Sequence, residues 1–120
     1  IVIGYEIGRL LMKETIFSER VDGQFKLRRD FKIIKNSKVL IVEDVITTGK
    51  SSIECSKLVE IAEAELIGFA CLINRSNKNS LINKKIVTQI EITIPTYKDD
   101  ELPKNLTSLP AIKPGSRDIK

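Results

Sequence analysis

Two adjacent carboxylates, Glu43 and Asp44, stand just ahead of Thr47, Thr48, Gly49, Lys50 and Ser51. Small hydroxyl residues and a glycine let a backbone fold tightly. The first N–H groups of a helix that follows point outward, with the positive end of the helix dipole behind them. Together these make a cradle for phosphate. Gly49-Lys50-Ser51 also matches the second half of the Walker A loop, G-x-x-x-x-G-K-[ST]. The first glycine of that loop would fall at position 44, where Asp stands. A carboxylate there blocks the turn around a β-phosphate and repels its charge, so the nucleotide-loop reading fails.

Flanking patterns supply the elements that must position these residues. Val39-Leu40-Ile41-Val42 is a continuous apolar run, as expected of a strand buried on both faces of a parallel sheet. It delivers the two acids at its C-terminal end, where ligand sites of α/β sheets form. Positions 49–65 have helical spacing, with Cys55, Leu58, Val59 and Ala62 on the apolar stripe and Glu54, Lys57 and Glu60 facing away. Leu66–Ile73 is a second buried strand and Ile86–Ile94 a third, ended by Pro95. Upstream, Ile3, Ile7, Leu10 and Leu11 mark an amphipathic helix ending near Lys13. Thr15–Glu19 reads as a short strand, Val21-Asp22-Gly23-Gln24 as a hairpin turn, and Lys35-Asn36-Ser37 as another turn. Strand, helix, strand in succession implies one α/β domain over residues 1–120 with a mainly parallel sheet flanked by helices. Pro103, Pro110 and Pro114 exclude regular structure from the tail, residues 95–120.

Composition is that of an ordinary globular chain of 120 residues, 42% hydrophobic and 30% charged. No apolar run approaches the ~20 residues that span a bilayer, and no signal-peptide pattern is present, so a soluble, cytoplasmic setting is expected. Histidine is absent, which excludes the usual zinc site and the usual histidine general base. Cys55 and Cys71 lie in apolar contexts and read as reduced, buried thiols, and Tyr5 and Tyr97 as structural. The net charge of +4 is local: between residues 19 and 38, seven basic side chains stand against three acidic ones, which equals the whole excess. Such a cluster suits a nucleic-acid patch, a phosphate clamp or a solvated hairpin.

The stretch from Val39 to Ser51 resembles the PRPP-binding motif of the type I phosphoribosyltransferases, where PRPP is phosphoribosyl pyrophosphate. Three further regions resemble the orotate-using members of that family. They are Glu19-Arg20, Gly23 and Lys26-Leu27-Arg28-Arg29, similar to a mobile basic loop; Asn74-Arg75 after the next strand; and the tail from Pro95 through Glu101-Leu102-Pro103 to Arg117. The likeness runs from about Ile1 to Arg117. It implies the type I phosphoribosyltransferase fold with a basic hairpin loop. It also implies transfer of the phosphoribosyl group of PRPP to orotate, giving orotidine 5′-monophosphate and pyrophosphate on the route to UMP.

By the same resemblance, Glu43 and Asp44 hold the ribose hydroxyls, and Asp44 offsets the positive charge developing at C1. Thr47, Thr48, Gly49, Lys50 and Ser51 anchor the 5′-phosphate. Thr47 and Arg75 reach orotate. Arg20 and Lys26 close on the leaving pyrophosphate, with Lys26 or an arginine standing where some members have a loop histidine. Mg²⁺ is expected to bind mainly through PRPP rather than in a protein metal site. The loop would act across a homodimer. The family's N-terminal portion has no counterpart here, so the chain reads as the C-terminal two-thirds of the enzyme and is expected to be inactive alone. An alternative from another class is a non-catalytic regulator that keeps this fold and binds nucleic acid through the basic stretch, although no separate DNA-binding segment is visible.

Overall fold

The computed structural model describes residues 1–76, 80–95, 97–110 and 112. In chain order the elements are α1 (Val2–Leu11), β1 (Ser18–Val21), β2 (Gln24–Leu27), β3 (Lys38–Ile46), α2 (Lys50–Ile61), β4 (Glu65–Asn74), β5 (Ile86–Glu91) and α3 (Lys104–Thr107). Strands β3, β4 and β5 form a parallel sheet with β4 in the centre, and β1 and β2 form a separate antiparallel hairpin. This is the expected α/β arrangement.

The sheet is apolar where it meets α2. Ile41, Ile46, Val59, Phe69 and Cys71 form the buried cluster, with Ile53, Cys55, Ala64, Ile82 and Ile86 among the residues packed on it. Both cysteines are reduced; Cys71 is buried and Cys55 partly so. Pairing between β3 and β4 shifts between Val39 and Leu40, which face Leu66 and Gly68, so Ile67 is an extra residue in β4.

Helix α2 stops four residues short of the expected end at position 65. Glu63 takes a left-handed backbone, φ 53°. The Glu63 N–H then donates to the Glu60 carbonyl (2.9 Å), and the Ala64 N–H to the Val59 carbonyl (3.0 Å). This pair of bonds satisfies the last carbonyls and turns the chain into β4. Helix α1 ends the same way at Met12, φ 53°. Its expected apolar stripe is only half covered: Ile3 and Ile7 are partly buried, while Leu10 and Leu11 are exposed. The buried residue of α1 is Gly8, against which Thr15 lies.

The hairpin forms where Asp22-Gly23 placed it, with Arg20 opposite Phe25 and Val21 opposite Gln24. Both turn residues have positive φ (51° and 79°), the geometry that matches strand twist in a two-residue turn. The first strand is Ser18–Val21 rather than Thr15–Glu19. Strand β5 ends at Glu91 instead of Ile94 because its neighbour ends: after Asn74 accepts from the Ile92 N–H (3.0 Å), β4 offers no further backbone.

The tail also departs from expectation. Asp99–Glu101 is a 3₁₀ turn, and α3 starts directly after Pro103. The Pro103 carbonyl accepts from the N–H groups of Leu106 (2.8 Å) and Thr107 (3.2 Å), so a proline that cannot continue a helix can still open one. Residues 113–120, including Arg117, lie outside the described residues.

Candidate active site

Strand β3 carries Glu43 and Asp44 to its C-terminal end, and the chain turns through Thr47, Thr48 and Gly49 into α2. Gly49 adopts φ 79°, ψ 2°, a left-handed conformation that costs glycine nothing and other residues strain. The first intrahelical bond runs from the Ile53 N–H to the Gly49 carbonyl (2.9 Å). The preceding amides of the first turn therefore have no helical partner. Lys50 N–H instead donates to the Thr48 side chain, Oγ1, at 3.3 Å. Glu43, Asp44, Thr47, Thr48, Gly49, Lys50 and Ser51, with Val45 and Ser52, line one pocket of about 200 Å³. Every residue expected in the phosphate and acid motif is thus brought together.

The two acids have different surroundings. Asp44 is exposed and accepts from the Val45 N–H at 2.8 Å. Glu43 is partly buried, and its Oε1 accepts from the Ser52 hydroxyl at 3.3 Å. Burial pushes the Glu43 carboxyl above its usual range, the Ser52 hydrogen bond opposes this, and the neighbouring charge of Asp44 adds to it.

The hairpin does not line this pocket; through Arg20 and Phe25 it lines a neighbouring one that shares Glu43, Lys50 and Ser51. Arg20 lines a second pocket of about 460 Å³ with Phe25, Glu43, Lys50, Ser51 and Glu54. Its guanidinium donates to Glu54 on α2 at 2.5 Å and to the Gly23 carbonyl, and lies 4.4 Å from the centre of the Phe25 ring. Lys26, opposite Glu19 in the hairpin register, lines neither pocket. Arg28 and Arg29 pair with Glu19 at 3.1 and 3.5 Å. Three arginines of the basic stretch thus make surface pairs with two acids, Glu54 and Glu19. Arg75 follows β4 and donates its backbone N–H to the Ile46 carbonyl (2.7 Å), next to Thr47, but its side chain lines neither pocket. Its Nε is buried without a hydrogen-bond partner among the described residues.

Sequence reasoning missed Ser52 and Glu54. Ser52 is a polar residue on the buried side of α2, 2% exposed, spaced at i, i+3, i+7 with Cys55 and Val59. That placement was a readable signal. Glu54, expected to face solvent, holds Arg20; only the hairpin's position reveals this. Among the described residues, no cluster of three or more His, Cys, Asp or Glu side chains could hold a metal, and no helix is long and apolar enough to cross a membrane.

A parallel strand ending in paired acids, followed by a hydroxyl-rich loop at a helix start, is an α/β arrangement suited to a phosphate-bearing ligand. Residues 6–101 match the phosphoribosyl transferase domain model, and the chain belongs to that family. It is similar to the orotate phosphoribosyltransferases of Parvibaculum lavamentivorans (43% identity over 99% of this chain) and Sphingopyxis alaskensis (45% over 99%). The chain spans about 61% of the length of these curated relatives. Its fold is similar to the crystal structure of adenine phosphoribosyltransferase from Rhodothermus marinus, with TM-score 0.57 and 21% identity over 76% of this chain and 63% of that one. The adenine phosphoribosyltransferase of Thermoanaerobacter pseudethanolicus gives TM-score 0.57 at 18% identity, over 74% and 62%.

Proposed function

We propose that this chain carries the PRPP-binding part of an orotate phosphoribosyltransferase, which transfers the phosphoribosyl group of PRPP to orotate in UMP biosynthesis in the cytoplasm. The observation that supports it most is the single pocket in which Glu43 and Asp44 meet the Thr47–Ser51 loop. The names of the relatives matching nearly the whole chain supply the choice of base.

In this reading Thr47, Thr48, Gly49, Lys50 and Ser51 hold the 5′-phosphate through loop hydroxyls and the open amides of α2. Glu43 and Asp44 hold the ribose hydroxyls, and Asp44, the more exposed acid, offsets the charge that develops at C1 as the bond to pyrophosphate breaks and the bond to N1 of orotate forms. Arg20, beside the pocket, answers the charge of the leaving pyrophosphate. Lys26 reaches it only by movement of the hairpin. Thr47 faces the base. Arg75, whose side chain lines neither pocket, reaches it only by moving, and the loop acts across a homodimer. The donors present fit a Mg²⁺ held chiefly by PRPP oxygens, since Glu43 and Asp44 supply the one or two carboxylates such an ion takes. When bound, that ion neutralises pyrophosphate.

Calorimetric titration of PRPP with Mg²⁺, into the native chain and into Asp44→Asn and Gly49→Val, tests the site. Both variants should bind more weakly, and unchanged affinity in both would place the ligand elsewhere. Loss of orotate absorbance, compared with adenine, hypoxanthine and uracil, in the protein that carries the relatives' N-terminal portion as well, tests the base. Consumption of another base in preference to orotate would overturn that choice.

A further inference from the structure

Gly49 has a close neighbour, Ile82, that lines neither pocket. A Cβ built on it would lie 2.7 Å from Cγ1 and 2.9 Å from Cδ1 of Ile82. A side chain at 49 thus collides with Ile82, in addition to meeting backbone strain at φ 79°. Ile82 sits between β4 and β5 and packs partly buried against the core cluster. Its segment is fastened to the loop: the Leu81 N–H donates to the Thr48 carbonyl at 3.1 Å. The segment is also braced internally, the Ile82 N–H donating to Ser80 Oγ at 3.2 Å.

Glycine has wide backbone freedom, so its neighbours must select the one conformation that starts α2 at this point. A β-branched side chain, stiff at χ1, is suited to act as that wedge. We propose that Ile82 is a positioning residue for the loop: packed against Gly49, it holds Thr47–Ser51 in the conformation that offers the first-turn amides of α2 to a phosphate group. The inference rests on the reading of this loop as a phosphate seat. Releasing one residue to its full conformational range weakens binding roughly 5- to 30-fold.

The test uses the full chain and two probes, PRPP with Mg²⁺ and inorganic phosphate. Ile82→Ala should weaken PRPP binding by about that factor, and Ile82→Val, which removes only Cδ1 and preserves the fold, by less. Amides of Lys50 to Ser52 should exchange faster in Ile82→Ala while those of β4 keep their protection. Gly49→Ala should cost less affinity in the Ile82→Ala background than in the native one, because the overlap is gone and only backbone strain remains. A lower melting temperature with unchanged affinity, unchanged loop exchange and additive effects would make Ile82 a core residue only and sink the inference. If the native chain binds neither probe at these amides, the phosphate-seat reading falls and this inference with it. Binding that protects them equally in native and Ile82 variants removes the inference alone.

Discussion

Ser52→Ala isolates the contact beneath the site. The Ser52 side chain is 2% exposed, and its hydroxyl donates to Glu43 Oε1 at 3.3 Å. A hydrogen bond to a charged group contributes about 1.5–3 kcal/mol, but 3.3 Å lies beyond the usual O–H···O range, so we expect a loss of about 1 kcal/mol at neutral pH. For a chain of this size that is a fall in melting temperature of roughly 3–6 °C per kcal/mol. The loss should depend on pH. Burial already raises the Glu43 carboxyl, and the hydroxyl pulls it back down. Without the hydroxyl, the folded-state pKa moves further above the unfolded one. Stability linked to a raised pKa is fully present below the unfolded value and lost as pH rises through the folded value. The native-minus-mutant difference should therefore be largest at pH 7 and shrink as the solution is acidified through the ordinary carboxylate range. Thermal melts from pH 7 to pH 4, with the Glu43 carboxyl titrated by carbon NMR, measure both quantities. A difference independent of pH, or a Glu43 titration that does not move upward in the mutant, would refute the argument.

Three further outcomes follow from the same geometry. Glu43→Gln, which mimics the protonated acid, should melt higher than native at pH 7, with the gain vanishing below the unfolded carboxylate pKa, while PRPP affinity falls; a lower melting temperature at pH 7 would mean that burial does not penalise this charge. In the protein that carries the relatives' N-terminal portion as well, Asp44→Asn should reduce phosphoribosyl transfer by an amount on the order of 2–4 kcal/mol in the barrier, with its circular dichroism unchanged; near-native kcat/KM would remove Asp44 from the reacting centre. Lys26→Ala with Arg28→Ala should lower kcat with little change in melting temperature, because Arg28 is well exposed and its pair with Glu19 is a surface one; mixing this double mutant with Asp44→Asn should restore activity if the loop acts across a dimer, and activity no greater than the sum would exclude that arrangement.

The stretch from Val39 to Ser51 was legible because its signals are local. An apolar run, two acids, a hydroxyl-rich turn and a helix start follow one another without a gap, and the structure gathers them in one pocket. Asp22-Gly23 was legible for the same reason. The end of α2 was not, because the left-handed residue that closes it is Glu63 rather than a glycine. Strand β5 was overextended because alternation in Ile90, Ile92 and Ile94 continues past the point where β4 stops offering partners. Most of the supports beneath the site were hidden, since Glu54 and Ile82 act through contacts set by tertiary placement.

In the proposed reading, those supports also govern how the hairpin would engage a ligand. Arg20 lines a pocket together with Glu43, Lys50 and Ser51, yet its charge is matched by Glu54 at 2.5 Å. Both partners are substantially solvated, with side-chain exposures of 40% and 32%, so the pair is screened by water and easily exchanged. The Arg20 guanidinium has five N–H donors in a fixed fork, and the Gly23 carbonyl and the Phe25 ring hold it in place independently of Glu54. A phosphate or pyrophosphate group entering beside Lys50 therefore meets an arginine already oriented, with only a weak carboxylate contact to displace. Glu54 is drawn below its ordinary carboxylate range, first by the Arg20 hydrogen bond. It therefore stays ionised through neutral pH and keeps Arg20 matched until an anion of higher charge arrives. The sequence places a cation near the motif; the helix beneath it keeps that cation poised.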